Sequence, residues 1–152
     1  AELVRQQKII QPMRHSMNTT SDINYYILIS PDRGDLDFEI NKSRRMDFER
    51  YLESSGRFHG DGYARAIGSW KGLTESSYVL SAGIDETMAK ETAENLRTIW
   101  QQDCVLIIRP DRSVINSSGK ELGRLKNLSR EAARAREDWT YRPDLDTYFV
   151  IE

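Results

Sequence analysis

The sequence is poor in the residues that build metal sites and histidine relays. It contains one cysteine, Cys104, and two histidines, His15 and His59, among 152 residues. One cysteine cannot form an internal disulfide, and its DCVLII context predicts a small buried hydrophobic residue rather than an exposed nucleophile. Two isolated histidines give neither the paired spacing of metal ligands nor a histidine-based relay. No metal site is therefore predicted.

Long apolar runs and a strong excess of one charge are also missing. No run approaches the roughly 20 apolar residues of a membrane-spanning helix, and no apolar stretch near the N-terminus precedes a small-residue cleavage site. We therefore expect a soluble, cytoplasmic protein without a membrane partner. The formal net charge of −2 lacks the basic excess of a nucleic-acid binder and the acidic excess of a DNA mimic. The basic segment Lys120 to Arg136 is interrupted by Glu121 and Glu131, which suits a solvated helix face.

Glycine-rich phosphate motifs are absent as well. The stretch GDGYARAIG opens a predicted strand, so its glycines are interpreted as turn and strand-start residues. A nucleoside triphosphate substrate is not supported. Any catalysis must use carboxylates, hydroxyls, backbone groups and the shape of the site.

Hydrophobic periodicity predicts six elements in the order strand, helix, strand, strand, helix, strand. The second helix is the best defined, since Asp85 can cap it and its apolar positions follow the helical repeat. The six segments are NYYILIS, NKSRRMDFERYLESSG, Gly62 to Trp70, Glu75 to Ala82, the helix after Asp85, and DCVLIIRPDRS. A short alanine-rich helix, Ser129 to Asp138, and a strand, TYFVIE, are predicted near the C-terminus.

This order is typical of an α+β protein with a split βαβ or ferredoxin-like α/β sandwich, βαββαβ, followed by a C-terminal extension. We predict a N-terminal segment over 1–22 that can be flexible, a sandwich core over 23–110, and an extension of the same domain over 111–152. Two helices cover only one face of the sheet, so we expect identical subunits to bury the other face. The protein is therefore predicted to be a homo-oligomer.

Two residues of the central hairpin are candidates for chemistry, Tyr63 and Glu75. If the strands pair across the turn at Lys71 and Gly72, we expect both on the same face near its opposite ends. On residue chemistry alone, the favoured interpretation is structural: a solvent-facing carboxylate near a turn and a tyrosine at the sheet edge. Ser77 shares the Glu75 face of its strand.

Several blocks of the chain resemble the small phage enzymes that destroy S-adenosylmethionine, long called SAM hydrolases and now understood as SAM lyases. The blocks are NYYILIS, NKSRRMDFERYL, GYARAIGS, the Thr74–Glu75 pair and WQQDCVLI, in matching order and spacing. The resemblance covers Asn24 to Ile108. It implies a P-II-like fold, a trimer with active sites between subunits, and S-adenosylmethionine as substrate, without a cofactor.

The resemblance also implies a reaction and roles for residues. S-adenosylmethionine would be cleaved to 5′-methylthioadenosine and L-homoserine lactone, which depletes the methyl donor and counters host restriction-modification. Glu75 would pair with the cationic head of the substrate, Tyr63 would orient its methionine part, and Ser77 would also contact it. Gln102 and Asp103, at a helix-to-strand junction, would bind the nucleoside.

Two other classes of function remain open at this point. A P-II-like regulatory protein would bind a small ligand on the same sandwich without turnover, because a fold does not specify chemistry. A nucleic-acid-binding antirestriction protein would use the segment Lys120 to Arg136, and its binding would depend steeply on salt.

Overall fold

The computed structural model describes residues 23–152, which form eight strands, three helices and a short 3-10 turn. The N-terminal segment predicted over 1–22 lies outside the described residues. The strands are β1 (Tyr26–Ile29), β2 (Tyr63–Trp70), β3 (Leu73–Ser81), β4 (Leu106–Ile108), β5 (Ser113–Asn116), β6 (Glu121–Leu128), β7 (Trp139–Arg142) and β8 (Thr147–Ile151). The helices are α1 (Phe38–Ser54), α2 (Glu86–Ile99) and α3 (Arg130–Arg134), with a short 3-10 turn over Gly60–Gly62.

The eight strands of residues 23–152 form a closed antiparallel barrel in the order β1-β3-β2-β7-β8-β6-β5-β4. The barrel closes because β1 pairs with β3 on one side and with β4 on the other. The predicted ferredoxin-like sandwich is therefore wrong. In an open four-stranded sheet, β2 and β4 would be the edge strands. Here β2 also pairs with β7, and β4 also pairs with β5.

Four of these strands, β5 to β8, come from the residues predicted to be a C-terminal extension. They wrap the sheet around its second face, so this face becomes the barrel interior instead of an uncovered surface. The argument for an oligomer from an uncovered face is thereby lost, and closure also removes the sheet edges. The oligomeric state itself stays a prediction.

The sheet separates two hydrophobic clusters. One lies between the barrel wall and helices α1 and α2, and it includes Phe48, Leu52, Ala93, Leu96 and the outward-facing strand residues such as Leu80. The other fills the barrel, and it includes Tyr26, Ala64, Val79, Val114 and Phe149. Alternate residues of one strand therefore serve two cores.

The helices begin at side-chain caps. Asp37 accepts a hydrogen bond from the Ile40 N–H at the start of α1, so this helix begins earlier than the predicted segment NKSRRMDFERYLESSG. Asp85 caps α2, as predicted, by accepting from the Met88 N–H. Both helices contribute to the cluster on the outer face of the barrel.

Two local predictions were wrong. Cys104 is exposed rather than buried, because it lies in the loop before β4 and not within the strand. Lys120 to Arg136 is not one helix face, since β6 occupies Glu121–Leu128 and only Arg130–Arg134 is helical. None of the helices within residues 23–152 combines the length and apolar character needed to cross a membrane.

Candidate active site

The β2–β3 hairpin places Glu75 on the barrel-facing side of the sheet. Its two-residue turn has positive φ at Lys71 (51°) and Gly72 (82°), the conformation that fits the twist of a tight hairpin. The register sets Glu75 opposite Gly68. Because directly opposed residues point to the same face, Glu75 lies on the side of Ser77 and Val79, and Val79 belongs to the barrel core.

Tyr63 lies on the other side of the same hairpin. It pairs with Leu80 and belongs to the cluster beneath the helices, so the predicted shared face with Glu75 was wrong. Its hydroxyl donates to Glu53 Oε1 at 2.6 Å, and burial, followed by the Glu53 carboxylate, raises the Tyr63 pKa. Tyr63 and Gly68 are also five residues apart along β2, about 17 Å at 3.3 Å per residue.

The Glu75 carboxylate is half-buried and its pKa is raised to about 7. Burial is the larger cause, and the negative charge of Asp32 is the second. Gly68 leaves the space beside it open. A Cβ at Gly68 would lie 3.8 Å from Glu75 Cγ and 3.0 Å from the Oγ of Ser77, which is buried on the same face.

Asp32 is a functional candidate that the sequence analysis missed. It follows β1 in the stretch Ser30-Pro31-Asp32, which predicts only a turn, although a carboxylate directly after a buried strand could have drawn attention to it. The residue is 9% exposed. Its Oδ2 accepts the backbone N–H of Ser76 at 3.0 Å, and its Oδ1 has no hydrogen-bond donor. Burial raises the pKa of Asp32.

Arg45 of α1 connects these groups. Its Nε lies 3.5 Å from Asp32 Oδ1, its Nη1 donates to Ser76 Oγ at 3.0 Å, and its guanidinium lies 5.8 Å from the ring centroid of the exposed Phe38. The cluster of Asp32, Arg45, Glu75 and Ser76, which we call the carboxylate cluster, therefore joins β1, α1 and β3.

Of the predicted nucleoside-binding pair, Gln102 lies beside this cluster. Its Nε2 donates to the backbone carbonyls of Asp32 and Trp100, both at 3.2 Å. Asp103 is exposed and interacts electrostatically with Arg33 and Arg97. The structure thus brings Glu75, Ser77 and Gln102 to one end of the barrel, directs Asp103 to solvent, and keeps Tyr63 apart.

An apolar rim extends from the same hairpin. Trp70 and Leu73 are directly paired, are 57% and 68% exposed, and by alternation lie on the Glu75 face. The tip is held in place because the Lys71 N–H donates to Asp138 Oδ1 at 2.8 Å. A half-buried carboxylate on the same hairpin face as an exposed indole suits a ligand that combines a cation with an apolar or aromatic part.

The described residues give less support to other kinds of site. Residues 23–152 contain no group of three or more His, Cys, Asp or Glu side chains that could hold a metal ion. In the basic segment 120–136, Lys126 and Arg136 both pair with Glu152, and the Arg134 guanidinium stacks on Trp139 at 4.8 Å. These cations serve intramolecular contacts instead of forming a free basic stripe.

The chain matches a known protein family. A family model described as the S-Adenosylmethionine lyase family matches residues 27–152, which extends well beyond the region in which the sequence blocks were recognised. The match includes the whole barrel apart from the first residue of β1. No curated protein sequence matches the chain.

Proposed function

Because this chain belongs to the S-adenosylmethionine lyase family, we propose that it cleaves S-adenosylmethionine to 5′-methylthioadenosine and L-homoserine lactone. Family membership supports an S-adenosylmethionine-degrading activity with this small molecule as substrate. The observation that carries the proposal for the site is the half-buried Glu75 carboxylate beside Asp32 and the exposed Trp70. This arrangement matches a substrate with two positive charges and an aromatic base.

The proposed reaction needs little from the protein. The substrate carboxylate attacks its own γ-carbon, a C–O bond forms, and the C–S bond breaks with its electron pair moving to sulfur. The leaving group is then a neutral thioether, so neither a general acid nor a metal ion is required. Holding the substrate in a folded conformation makes the attack intramolecular, which provides a large effective concentration.

The reacting charges explain why a desolvated site would help. A negative carboxylate and a positive sulfonium cancel as the bond forms, so the transition state loses less by leaving water than the separated charges do. In the proposed site, Glu75 holds the ammonium or sulfonium without acting as a base, and Ser77 adds a hydroxyl contact. Trp70 provides an aromatic face for the cation or the adenine, and Gln102 with Asp103 adjoins the nucleoside.

We also propose that the active form is a trimer with sites between subunits. Tyr63 and Glu75 face opposite sides of one hairpin, so a site that uses both residues needs them from different chains. Family resemblance supports this proposal. In this proposal the protein acts in the host cytoplasm during phage infection, where loss of S-adenosylmethionine deprives restriction-modification methyltransferases of their methyl donor.

Incubation of the purified protein with S-adenosylmethionine, followed by chromatography and mass spectrometry, tests the function. We expect 5′-methylthioadenosine and homoserine lactone in equal amounts, with no effect of a chelator. Glu91→Gln, which changes an exposed glutamate of α2, is the matched control for Glu75→Gln. A tightly bound but intact substrate would support a regulatory binding protein, and activity restored by a divalent ion after chelation would overturn the metal-free reaction.

A further inference from the structure

Ser76, the residue after Glu75, forms hydrogen bonds with three groups from outside its own strand. The Ser76 N–H donates to Asp32 Oδ2 at 3.0 Å, and the Ser76 carbonyl accepts from the Ser30 hydroxyl at 2.5 Å. The Ser76 hydroxyl accepts from Arg45 Nη1 at 3.0 Å. These bonds fix the backbone from which the Glu75 side chain extends.

Asp32 is itself held in place within this network. Its own N–H donates to the Ser30 hydroxyl at 3.1 Å, and its backbone carbonyl accepts from Gln102 Nε2. Its Oδ1 is buried without a hydrogen-bond donor and lies 3.5 Å from Arg45 Nε. A buried carboxylate with one oxygen left without a donor is costly, which is unexpected if the residue only closes a turn.

We propose that Asp32, balanced by Arg45, is a positioning residue for Glu75 that fixes its backbone through Ser76 and places a second negative charge near its carboxylate. This inference rests on the proposed function, in which an ionised Glu75 holds the substrate cation. Asp32 would act through Glu75 and not by touching the substrate, because its Oδ1 is buried.

The charged groups around the pair define the expected direction of each effect. Within residues 23–152, Arg45 and Arg44 of α1 act electrostatically on Asp32, and Asp32 acts on Glu75. Three neutral groups also adjoin the pair: Gly68 from β2, Ser30 directly after β1 and Gln102 from the loop before β4. Removing the Asp32 charge should therefore lower the Glu75 pKa. Removing the Arg45 charge leaves the charge of the ionised Asp32 uncompensated, and should raise the Glu75 pKa through Asp32.

The experiment measures the titration midpoint of the Glu75 carboxyl carbon by NMR, without substrate, in wild type, Asp32→Asn and Arg45→Met. The asparagine oxygen can still accept from the Ser76 N–H, so this variant removes the charge and keeps the anchor. Asp35→Asn and Arg50→Met are matched controls, because Asp35 pairs with Arg33 and Arg50 with Asp47. The acid limb of kcat/KM for S-adenosylmethionine is recorded for the same proteins.

We expect the Glu75 midpoint to fall by about one pH unit in Asp32→Asn and to rise in Arg45→Met, with the acid limb moving in parallel and both controls unchanged. Midpoints that stay at the wild-type value, or that shift in the same direction in both variants, would overturn the inference. If Asp32→Asn does not fold, a higher Glu75 midpoint in Arg45→Met supports the inference, and an unchanged or lower midpoint overturns it. Opposite shifts in a protein that leaves S-adenosylmethionine intact would refute the proposed function and not the positioning role.

Discussion

Tyr63 and Glu75 lie on opposite faces of the β2–β3 hairpin, with Tyr63 paired to Leu80 and Glu75 to Gly68. The Tyr63 hydroxyl donates to Glu53 beneath the helices, whereas Glu75 faces the barrel side beside Asp32. One chain therefore cannot bring both side chains to the same substrate without rearranging the hairpin. Because the two residues are separated in one chain, the proposal that subunits share the site can be tested directly.

Mixed oligomers of Tyr63→Phe and Glu75→Gln should recover activity. If each site takes Tyr63 from one chain and Glu75 from another, about a quarter of the sites in a random one-to-one mixture contain both native residues. We expect the activity of the co-refolded mixture to exceed the mean of the two separate preparations. Activity equal to that mean, or full activity of a monomer in light scattering, would contradict a shared site.

Glu75→Gln should lose most of the activity while the protein stays folded. The amide keeps the volume of the side chain and removes the charge that pairs with the substrate cation. One charge-assisted hydrogen bond is worth roughly 1.5 to 3 kcal/mol, so kcat/KM should fall by about tenfold to a hundredfold or more. Tyr63→Phe should lose less, and Glu91→Gln should behave as wild type. Near-wild-type turnover by Glu75→Gln would transfer the role to another acid, of which Asp103 is the next candidate.

The pH dependence of kcat/KM should show an acid limb near pH 7. The Glu75 pKa is raised to about 7 by burial and by Asp32, so the free enzyme loses its carboxylate charge below that pH. A bound cation favours the ionised form, and the limb of kcat, which reports the complex, should therefore lie at lower pH than the limb of kcat/KM. A limb that is identical in wild type and Glu75→Gln would assign the titration to another group.

Thermal unfolding should reveal a conflict between stability and function at Glu75. Its folded-state pKa of about 7 lies above the value of 4.5 that is ordinary for glutamate, so the folded protein binds more protons between these pH values and loses stability as the pH rises through them. Glu75→Gln avoids this loss. We expect its Tm to exceed that of wild type at pH 8 and to match it near pH 4, whereas a lower Tm at pH 8 would show that the carboxylate stabilises the fold.

The hairpin and the second helix could be predicted from the sequence because their signals are local. Alternating residues flank Lys71-Gly72, and Asp85 precedes a helical repeat, so neighbouring residues suffice for both elements. The barrel could not be predicted in this way. Its closure depends on pairing between strands far apart in the chain, such as β2 with β7.

The C-terminal strands illustrate why local patterns failed there. β6 has the sequence ELGRLKNL, in which only Leu125 is buried, and its lysine and arginine residues are typical of a solvated helix. Gly123 has a φ of 142°, and a Cβ there would lie 2.4 Å from the Glu152 carbonyl oxygen, so this glycine serves a close contact with the end of the chain. Sequence patterns do not indicate this contact between Gly123 and Glu152.

The candidate site, like the fold, could be predicted only in part from the sequence. Glu75 stands out as a lone acid at a strand start, and its neighbourhood with Ser77 follows from alternation. Asp32 and Arg45 reach it only through the packing of α1 against the end of the barrel. Sequence spacing gives no sign of that packing, since these residues are separated from Ser76 by 44 and 31 positions.

The most direct test of the proposed lyase reaction is cleavage of S-adenosylmethionine in ¹⁸O-labelled water, with mass analysis of the earliest products. Intramolecular attack predicts homoserine lactone without solvent oxygen, and later opening of the lactone at its carbonyl places the label in the carboxylate of homoserine. If Glu75 instead activated water as a general base, attack on the γ-carbon would place the label on the side-chain hydroxyl. Label mainly on the hydroxyl of early homoserine would contradict the account, and unlabelled lactone as the first product is the result that it predicts.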